Sequence, residues 1–463
     1  MLSNTYEKLI IKNNLANYSS TKGCIIIKSY GLNIWNNIKK ELNKKILYIK
    51  YKNLYYPLLI NNNILKKNNI HYKGFIKEKI YTKINKNKYI IRPTSESIIW
   101  NKYKIKSYKS LPILLNIWSN VIRWEKKNKF FLRNNEFFLQ EAHSGHKNKY
   151  YALKEIKKIL YIYKNFFKKY LALYTKSGLK SKSDKFSGAV FTLSLETFTP
   201  NNKSIQIATI HYLGKNFSIP NNIKYLNNKN KYKYIFSNSW GTSTRLIGAI
   251  TMIHSDKYGL IIPPKIAPIK IIIIPIWNNF FKFNIKIFKF VNLIKYKLKK
   301  HNISYKIDFN YKISLKKKFI KYEKKGIPIR ISIGYKEFLK KKIEIFRRDK
   351  YKKKKIYYKK NINYIKKLLC KIQKRLYLKH KKHFKKNKIY LKNIKNINKK
   401  NKKKIIYTYW NGKKKIEKKI KKKLKLSIRC IPFKYLYNKN KIYKKCFISK
   451  KKTFIKIILS KSY

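Results

Sequence analysis

Acidic residues are scarce in this chain of 463 residues: 17 Asp and Glu stand against 117 Lys and Arg, a formal charge of +100. Taken alone, that imbalance fits a disordered or polyanion-binding tail. Yet hydrophobic residues make up 44% and aromatic residues 16%, and segments that cannot fold are poor in aromatic and β-branched residues. Glycine and proline are few, 13 and 11, which excludes a collagen-like or Pro/Gly-rich chain. Only four cysteines occur, Cys24, Cys370, Cys430 and Cys446, far apart and without a C-x-x-C pair. They argue against a disulfide framework and a complete zinc ribbon, and suit a reducing compartment. Long apolar runs are missing as well: the longest, Ile271 to Trp277, is too short to cross a bilayer. The opening MLSNTYEKLIIKNNLANY has neither an apolar signal core nor an Arg/Ser-rich, acid-poor presequence, so a cytoplasmic protein with no membrane segment is expected. At roughly 100–200 residues per domain, the length predicts about three domains.

Lys, Asn, Ile and Tyr dominate instead, the residues that accumulate when coding drifts toward A and T. Most lysines are therefore expected as solvated surface, although a field of this sign still attracts polyanions. Nucleic acid is the leading partner class and a membrane surface the second. Arginine is informative because it is rare: nine against 108 lysines, at Arg92, Arg123, Arg133, Arg245, Arg330, Arg347, Arg348, Arg375 and Arg429. Arg presents a planar fork that binds carboxylate or phosphate in bidentate fashion, where Lys is only a point charge. Retained Arg thus nominates sites that need the fork.

Three of these, Arg92, Arg123 and Arg133, share the window 92–146 with Glu96, Glu125, Glu136 and Glu141. The window reads RPTSESIIW, a helix-like stretch, then NVIRWEKKNKFFLRNNEFFLQEAHSGH. IWSNVIRWE and EFFLQEAH have the β-branched and aromatic enrichment of strands, with a basic loop between them. On such strands Arg123 and Glu125 share one face, as do Leu139 and Glu141. An isolated R-x-E is more simply an ordinary cross-strand ion pair. Beyond it, apolar residues at Leu153, Ile156, Leu160, Tyr163, Phe167, Tyr170 and Tyr174 predict a long packing helix over 149–174. DKFSGAVFTLSLETF and IQIATIHYLGKNFS alternate in β fashion and carry Phe186, Gln206, Thr209 and His211. A lone His there is more often a satisfied core residue than a catalyst. SNSWGTSTRLIGAITMIHSD turns from strand into helix near Gly241, which sets Arg245 at a helix start, where anions are favoured.

In this order and spacing, RPTSES, VIRWE, FFLQEAHSGH, KFSG, IQIATIHYLGKNFS, NSWGTSTRLIG and GLIIPP resemble the prolyl-tRNA synthetases of archaeal and eukaryotic type, and the likeness runs from near Leu15 to the final SKSY. The resemblance implies an α+β fold: a class II core with an antiparallel sheet and flanking helices over 1–264, an α/β anticodon-binding domain over 265–361 and a small, Lys-rich α+β C-terminal domain over 362–463. Residues 31–57 resemble motif 1, at the dimer interface in this class, 120–143 motif 2 and 238–250 motif 3. Fewer than a hundred residues separate motifs 2 and 3, too few for an inserted editing domain.

The implied activity is ATP-dependent ligation of proline to tRNA(Pro) through prolyl-adenylate, with Mg²⁺ on the phosphates, in a homodimer. By similarity, Arg123 holds the α-phosphate, Glu125 the adenine side and Arg245 the γ-phosphate, while Gln206, Thr209 and Ser243 match ATP contacts. Thr94 and Glu96 match the loop that receives the amine; Arg123 and Glu141 belong to the same proline set, and Phe186 and His211 match its walls. The family usually has Trp where Leu139 stands, and Tyr212 replaces the second His of a His-His pair. Arg330 and Glu337 are expected to face the anticodon, since unpaired RNA is read through base edges and stacking; for each residue alone, a core strand with exposed ends is the competing reading. The Lys-rich runs 396–406 and KKIKKKLKL are expected as solvated, partly mobile surface. WNGKKKIE stands where W-C-G…C-E is typical, leaving Cys430 and Cys446 alone, and two thiolates do not close a tetrahedral site, so no zinc is predicted. The competing readings are a basic RNA-binding protein on a weakened synthetase fold and another class II specificity such as threonyl or seryl.

Overall fold

The computed structural model describes all residues except 1, 63–79, 86, 101–104, 106, 278–280, 359–360, 395–396, 399 and 434–442. From the N-terminus come helices α1 (Leu2–Lys12) and α2 (Ser29–Tyr48), then strands β1 (Lys52–Leu54), β2 (Ile113–Ile122) and β3 (Glu136–His146). Helix α3 (Lys149–Lys169) leads to β4 (Lys176–Leu179), β5 (Phe191–Phe198), β6 (Ser204–Gly214), β7 (Phe236–Ser243) and helix α4 (Arg245–His254). A second unit holds β8 (Ile271–Pro275), α5 (Phe281–Lys300), β9 (Tyr305–Ile307), α6 (Leu315–Lys324), β10 (Ile329–Ile333), β11 (Lys342–Arg347) and β12 (Lys352–Tyr357). Last come α7 (Asn361–Asn387), β13 (Lys388–Tyr390), β14 (Ile405–Tyr409), α8 (Lys414–Lys419), β15 (Ser427–Pro432) and β16 (Lys456–Ser460).

Eleven of these strands form one sheet in the order β13-β14-β16-β15-β4-β5-β6-β7-β3-β2-β1. The β1–β2 and β13–β14 pairs are parallel, and the neighbours between them are antiparallel. The second unit has its own mixed sheet, β9-β8-β10-β11-β12. The whole is α+β. Residues 147–235, between the motif 2 and motif 3 segments, are largely spent on α3 and three strands of the main sheet, with no inserted unit among the described residues.

Local sequence explains these elements. Helix α3 begins where the Asn148 side chain accepts a bond from the Tyr151 N–H at 3.1 Å, satisfying one of the helix's free donors. It buries Ala152, Ile156, Ile159, Tyr163, Phe166 and Phe167 at steps of three and four, each large apolar group contributing about 1.5–3 kcal/mol. Tyr163 donates to Gln140 Oε1 at 2.6 Å, so the helix fixes the back of β3. The helix stops at Lys169, short of the predicted 174, and Ala172 adopts φ +55°. The helix-like stretch expected before residue 120 is β2 from Ile113 onward, because its alternate side chains are buried against β3. At Gly241, an added Cβ would meet the Gln140 carbonyl oxygen at 2.7 Å, so only glycine permits this approach of β7 to β3.

In the second unit, every residue of β8 and β10 is buried, as a sheet covered on both faces requires. The edge strand β12 is four lysines followed by Ile-Tyr, a composition that blocks edge pairing by other chains. The run 418–426 departs from expectation: it is ordered, helical through most of its length, with Ile420, Leu424 and Leu426 buried and its lysines outward. Residues 396 and 399 of the other Lys-rich run lie outside the described residues, and its Ile405 and Ile406 are buried in β14. Helix α7 packs Ile365, Leu368 and Ile372 into the second core and Phe384 against Phe198, Tyr407 and Cys430 of the main sheet. It thereby ties the three parts together.

Candidate active site

Strands β3, β6 and β7 carry a cavity of about 430 Å³, walled by residues 94–96, by Arg123 just beyond β2 and by the loop 180–187. Alternation along β3 turns Leu139, Glu141 and His143 into the cavity, while Gln140 and Ala142 face the core.

One end is acidic and apolar. Thr94, Glu96 and Glu141 are all buried there. The Thr94 hydroxyl donates to Glu141 Oε1 at 2.9 Å and also meets Glu96 Oε2, while Ser239 donates to Glu96 Oε1 at 3.0 Å. Glu141 Oε2 is buried without a well-formed hydrogen bond, and the Ser95 hydroxyl is close enough to help hold its charge. Burial, with the Glu96 charge second, raises the Glu141 pKa. Phe186 lies 4.8 Å from the His211 ring, centre to centre, and Leu139 forms another part of the wall. His211 shares a 2.9 Å hydrogen bond with Thr192. Burial, aided by His143 and Arg123, pushes His211 down to about 3, and burial takes His143 down to about 4. Both imidazoles are therefore neutral near pH 7 and do not repel a cation beside the carboxylates.

The other end is cationic. Arg123 Nε donates to the Pro93 carbonyl at 2.9 Å, and its guanidinium lies 5.6 Å over Phe137. Arg245, the first residue of α4, donates from Nε to the Leu132 carbonyl at 3.0 Å and from Nη1 to that of Gln206 at 3.2 Å. Ser243 Oγ accepts from the Arg245 N–H at 3.3 Å. Burial, then repulsion from Arg123 and Arg133, lowers the Arg245 pKa to about 10, and it stays charged at neutral pH. An anion here would relieve that repulsion and meet the α4 N-terminus. Gln206 and Thr209 line the same cavity from β6. Glu125 is outside the lining: its carboxylate is 4.0 Å from Arg133 and its charge reaches Arg245, on this cationic side.

Residues without a role read from the sequence also line the site or its neighbour. His143 and Ser239 follow from strand alternation next to Glu141 and Gly241. Arg133 and Arg429 line a neighbouring cavity of about 280 Å³ that shares Lys180, Gln206 and Arg245 with the first. Lys180 and Arg429 come from distant segments, and no local sequence signal brings them together.

Arg330 is a correction. It is 3% exposed, bound through Nη1 to Glu323 at 2.5 Å and set over the Phe319 and Phe346 rings, so it is packed inside the second unit instead of standing on its surface. Glu337 is paired with Lys355 at 2.8 Å. Cys430 and Cys446 lie in separate apolar clusters, and burial pushes the Cys430 thiol up to about 12. Two cysteines in separate clusters do not make the four-ligand set that a structural zinc takes.

A cavity with two buried carboxylates in an apolar pocket at one end and carbonyl-held guanidinium groups at the other suits a small apolar ammonium compound beside a polyphosphate. Comparison with known proteins gives the family. Residues 79–254 match the family described as tRNA synthetase class II core domain (G, H, P, S and T), 270–368 the anticodon binding domain and 394–463 the prolyl-tRNA synthetase C-terminal domain. The chain is 38% identical over 453 residues to a proline–tRNA ligase of Azobacteroides pseudotrichonymphae, covering 93% of this chain and 92% of the relative. It is also similar to prolyl-tRNA synthetase of Cryptosporidium parvum complexed with halofuginone and AMPPNP, with a TM-score of 0.93, 30% identity and coverage of 100% and 98%. The same enzyme complexed with L-proline and AMP gives a TM-score of 0.93 at 29% identity, with coverage of 100% and 95%.

Proposed function

The chain belongs to the prolyl-tRNA synthetases, and from that membership we propose that it joins proline to tRNA(Pro) in two steps through prolyl-adenylate. The observation that carries this reading is the Glu96–Glu141 pair, buried beside Phe186, Leu139 and neutral His211, with acceptor capacity left on Glu141. Proline has a secondary ammonium with two donors and a small apolar ring, and it meets both needs at once.

In the first step a proline carboxylate oxygen attacks the α-phosphorus of ATP and the bond to the β-phosphate breaks, releasing pyrophosphate. Arg123 holds the α-phosphate and Arg245 the γ-phosphate, aligning an in-line displacement and neutralising charge as it moves to the leaving group. Gln206, Thr209 and Ser243 steady the nucleotide, and Glu125 stands on its side of the cavity. When bound, magnesium would supply charge neutralisation on the triphosphate; Asp184, which lines both cavities, and Glu125 on the cationic side are the carboxylates that would hold it. In the second step a ribose hydroxyl at the tRNA 3′ end attacks the prolyl carbonyl and AMP leaves. No covalent enzyme intermediate is required.

The second unit suggests how the anticodon end is bound, with its lysines rather than Arg330 as the contacts. We divide the chain into parts at 1–264, 265–361 and 362–463, with α7 beginning at the last joint. A homodimer through motif 1 is supported by Leu47, Tyr48, Leu54, Tyr55, Leu58 and Leu59, apolar side chains exposed around edge strand β1. No described helix is long and apolar enough to cross a membrane, and cytoplasmic residence accords with that. Absence of zinc is tested by elemental analysis.

ATP–pyrophosphate exchange with each standard amino acid tests the central reading. Proline alone should support exchange, and Arg123→Lys should lose most of it despite the kept charge. Exchange driven equally well by threonine or serine would overturn the specificity.

A further inference from the structure

In a chain so poor in acid, two carboxylates are almost wholly buried where the C-terminal part meets the cavity: Glu196 is 0% and Glu417 is 2% exposed. Glu196 has strong cationic partners, Arg429 at 2.9 Å and Lys180 at 3.2 Å. Glu417 is different. Its Oε1 accepts from Ser181 Oγ at 2.8 Å and its Oε2 from Ser183 Oγ at 2.6 Å, and its nearest cation, Lys421, is 3.8 Å away. Burying a carboxylate against two neutral hydroxyls is costly unless the geometry it fixes is needed. Behind it, Ile416, Ile420 and Leu424 anchor α8 in the C-terminal core, so the carboxylate projects from a rigid base.

The hydroxyls it holds belong to the loop 180–187, which forms one wall of the candidate pocket and carries Phe186. Lys421 adds a second tie to this loop, donating to Asp184 Oδ1 at 2.9 Å. At the loop's start, an added Cβ on Gly178 would meet the Ile431 carbonyl oxygen at 2.2 Å, so the C-terminal part is also fitted closely against the backbone.

We propose that Glu417 is a positioning residue: by clamping Ser181 and Ser183 it sets the loop that presses Phe186 against the bound amino acid, so a distant part of the chain fixes the affinity of the amino-acid pocket. The proposal rests on the function assigned above. Glu417 touches no substrate, and its effect is expected in binding rather than in the chemical step.

The test is steady-state proline-dependent exchange. Glu417→Ala should raise KM for proline roughly tenfold while kcat stays within about twofold, the pattern of lost binding. Glu417→Gln, which keeps the shape and can bond both hydroxyls, should recover most of the loss. Thr408→Val removes a buried 2.7 Å bond to the Leu391 carbonyl elsewhere in the C-terminal part and should leave KM unchanged. If Glu417→Ala does not fold, Ser181→Ala, which removes one clamp bond without touching the cavity, should raise KM by a smaller factor. An unchanged proline KM in the folded clamp variants, or an equal rise in Thr408→Val, overturns the proposal. If the unsubstituted chain shows no exchange with proline, the functional assignment itself fails.

Discussion

Arginine is used in two ways in this molecule, and the cavity and the second unit show them side by side. At the cavity, Arg123 and Arg245 are held by backbone carbonyls of Pro93, Leu132 and Gln206. A carbonyl orients a guanidinium without cancelling its charge, so the site remains attractive to an anion. In the second unit, Arg330 is matched to Glu323, and Arg348 makes a bidentate pair with Asp256 at 2.6 and 2.8 Å. Both of these guanidiniums already face a carboxylate that balances their charge. Under the function proposed above, the guanidiniums oriented by carbonyls are the ones that meet the anionic ligand, and those matched to carboxylates serve the fold.

The sharpest test is Arg245→Lys. A point charge cannot bridge two carbonyls and a phosphate, and loss of one preorganised donor lowers turnover by about 10²–10³-fold. Unfolding free energy should stay within about 1 kcal/mol of the parent, as checked by urea titration. A fall in stability without a fall in exchange would erase the distinction.

Glu196 probes the pairing of charges at the boundary. Burial alone would raise its pKa, but Arg429 and Lys180 outweigh burial and hold it down at about 2, against an ordinary 4.5. Its stabilisation is therefore complete above pH 4.5 and is lost as the pH falls through that value toward 2. The term is on the order of 3 kcal/mol. In urea titrations, the stability gap between the parent and Glu196→Gln should be widest at pH 7 and shrink below pH 4.5; a gap independent of pH would mean the ion pairs contribute nothing.

Arg348→Ala is the mirror of Arg245→Lys. It strands Asp256, whose side chain is 30% exposed and so partly rescued by water, and should cost about 2–3 kcal/mol of stability. Proline-dependent exchange at a temperature where the variant is folded should be unchanged. The smallest effect is expected from Leu139→Trp, which restores the aromatic wall usual in the family. Its proline KM should fall by a few-fold, because extra apolar contact in a pocket is worth about 1 kcal/mol. A rise would show that the pocket has closed around leucine.

How far the sequence could be read follows from how local each signal is. The β3 strand, the α3 helix and the strand-to-helix turn before Arg245 depend on neighbours along the chain, and periodicity and motif order revealed them. Rarity of arginine pointed to Arg123 and Arg245, but equally to Arg330, because composition says nothing of Glu323 waiting seven residues away to bind it. The second half of β2 was legible in IWSNVIRWE, but its start at Ile113 was hidden because LPILLN is apolar enough for a helix, and only pairing with β3 decides otherwise. Lys180 and Arg429 could not be joined from sequence, since Glu196 brings them together across the sheet. The run KKIKKKLKL looked like solvated charge, yet its isoleucine and leucines face inward at helical spacing while the lysines take the other side.

Strand β4 gains its outer neighbour only from β15, a segment that a ribosome makes far later. Until then the nascent chain carries a bare strand beside its reaction centre, able to pair with any other polypeptide in reach. A chain cut short before β15 would keep this unfinished wall and sticky flank, so completion of the cavity waits on a segment made more than two hundred residues after β4.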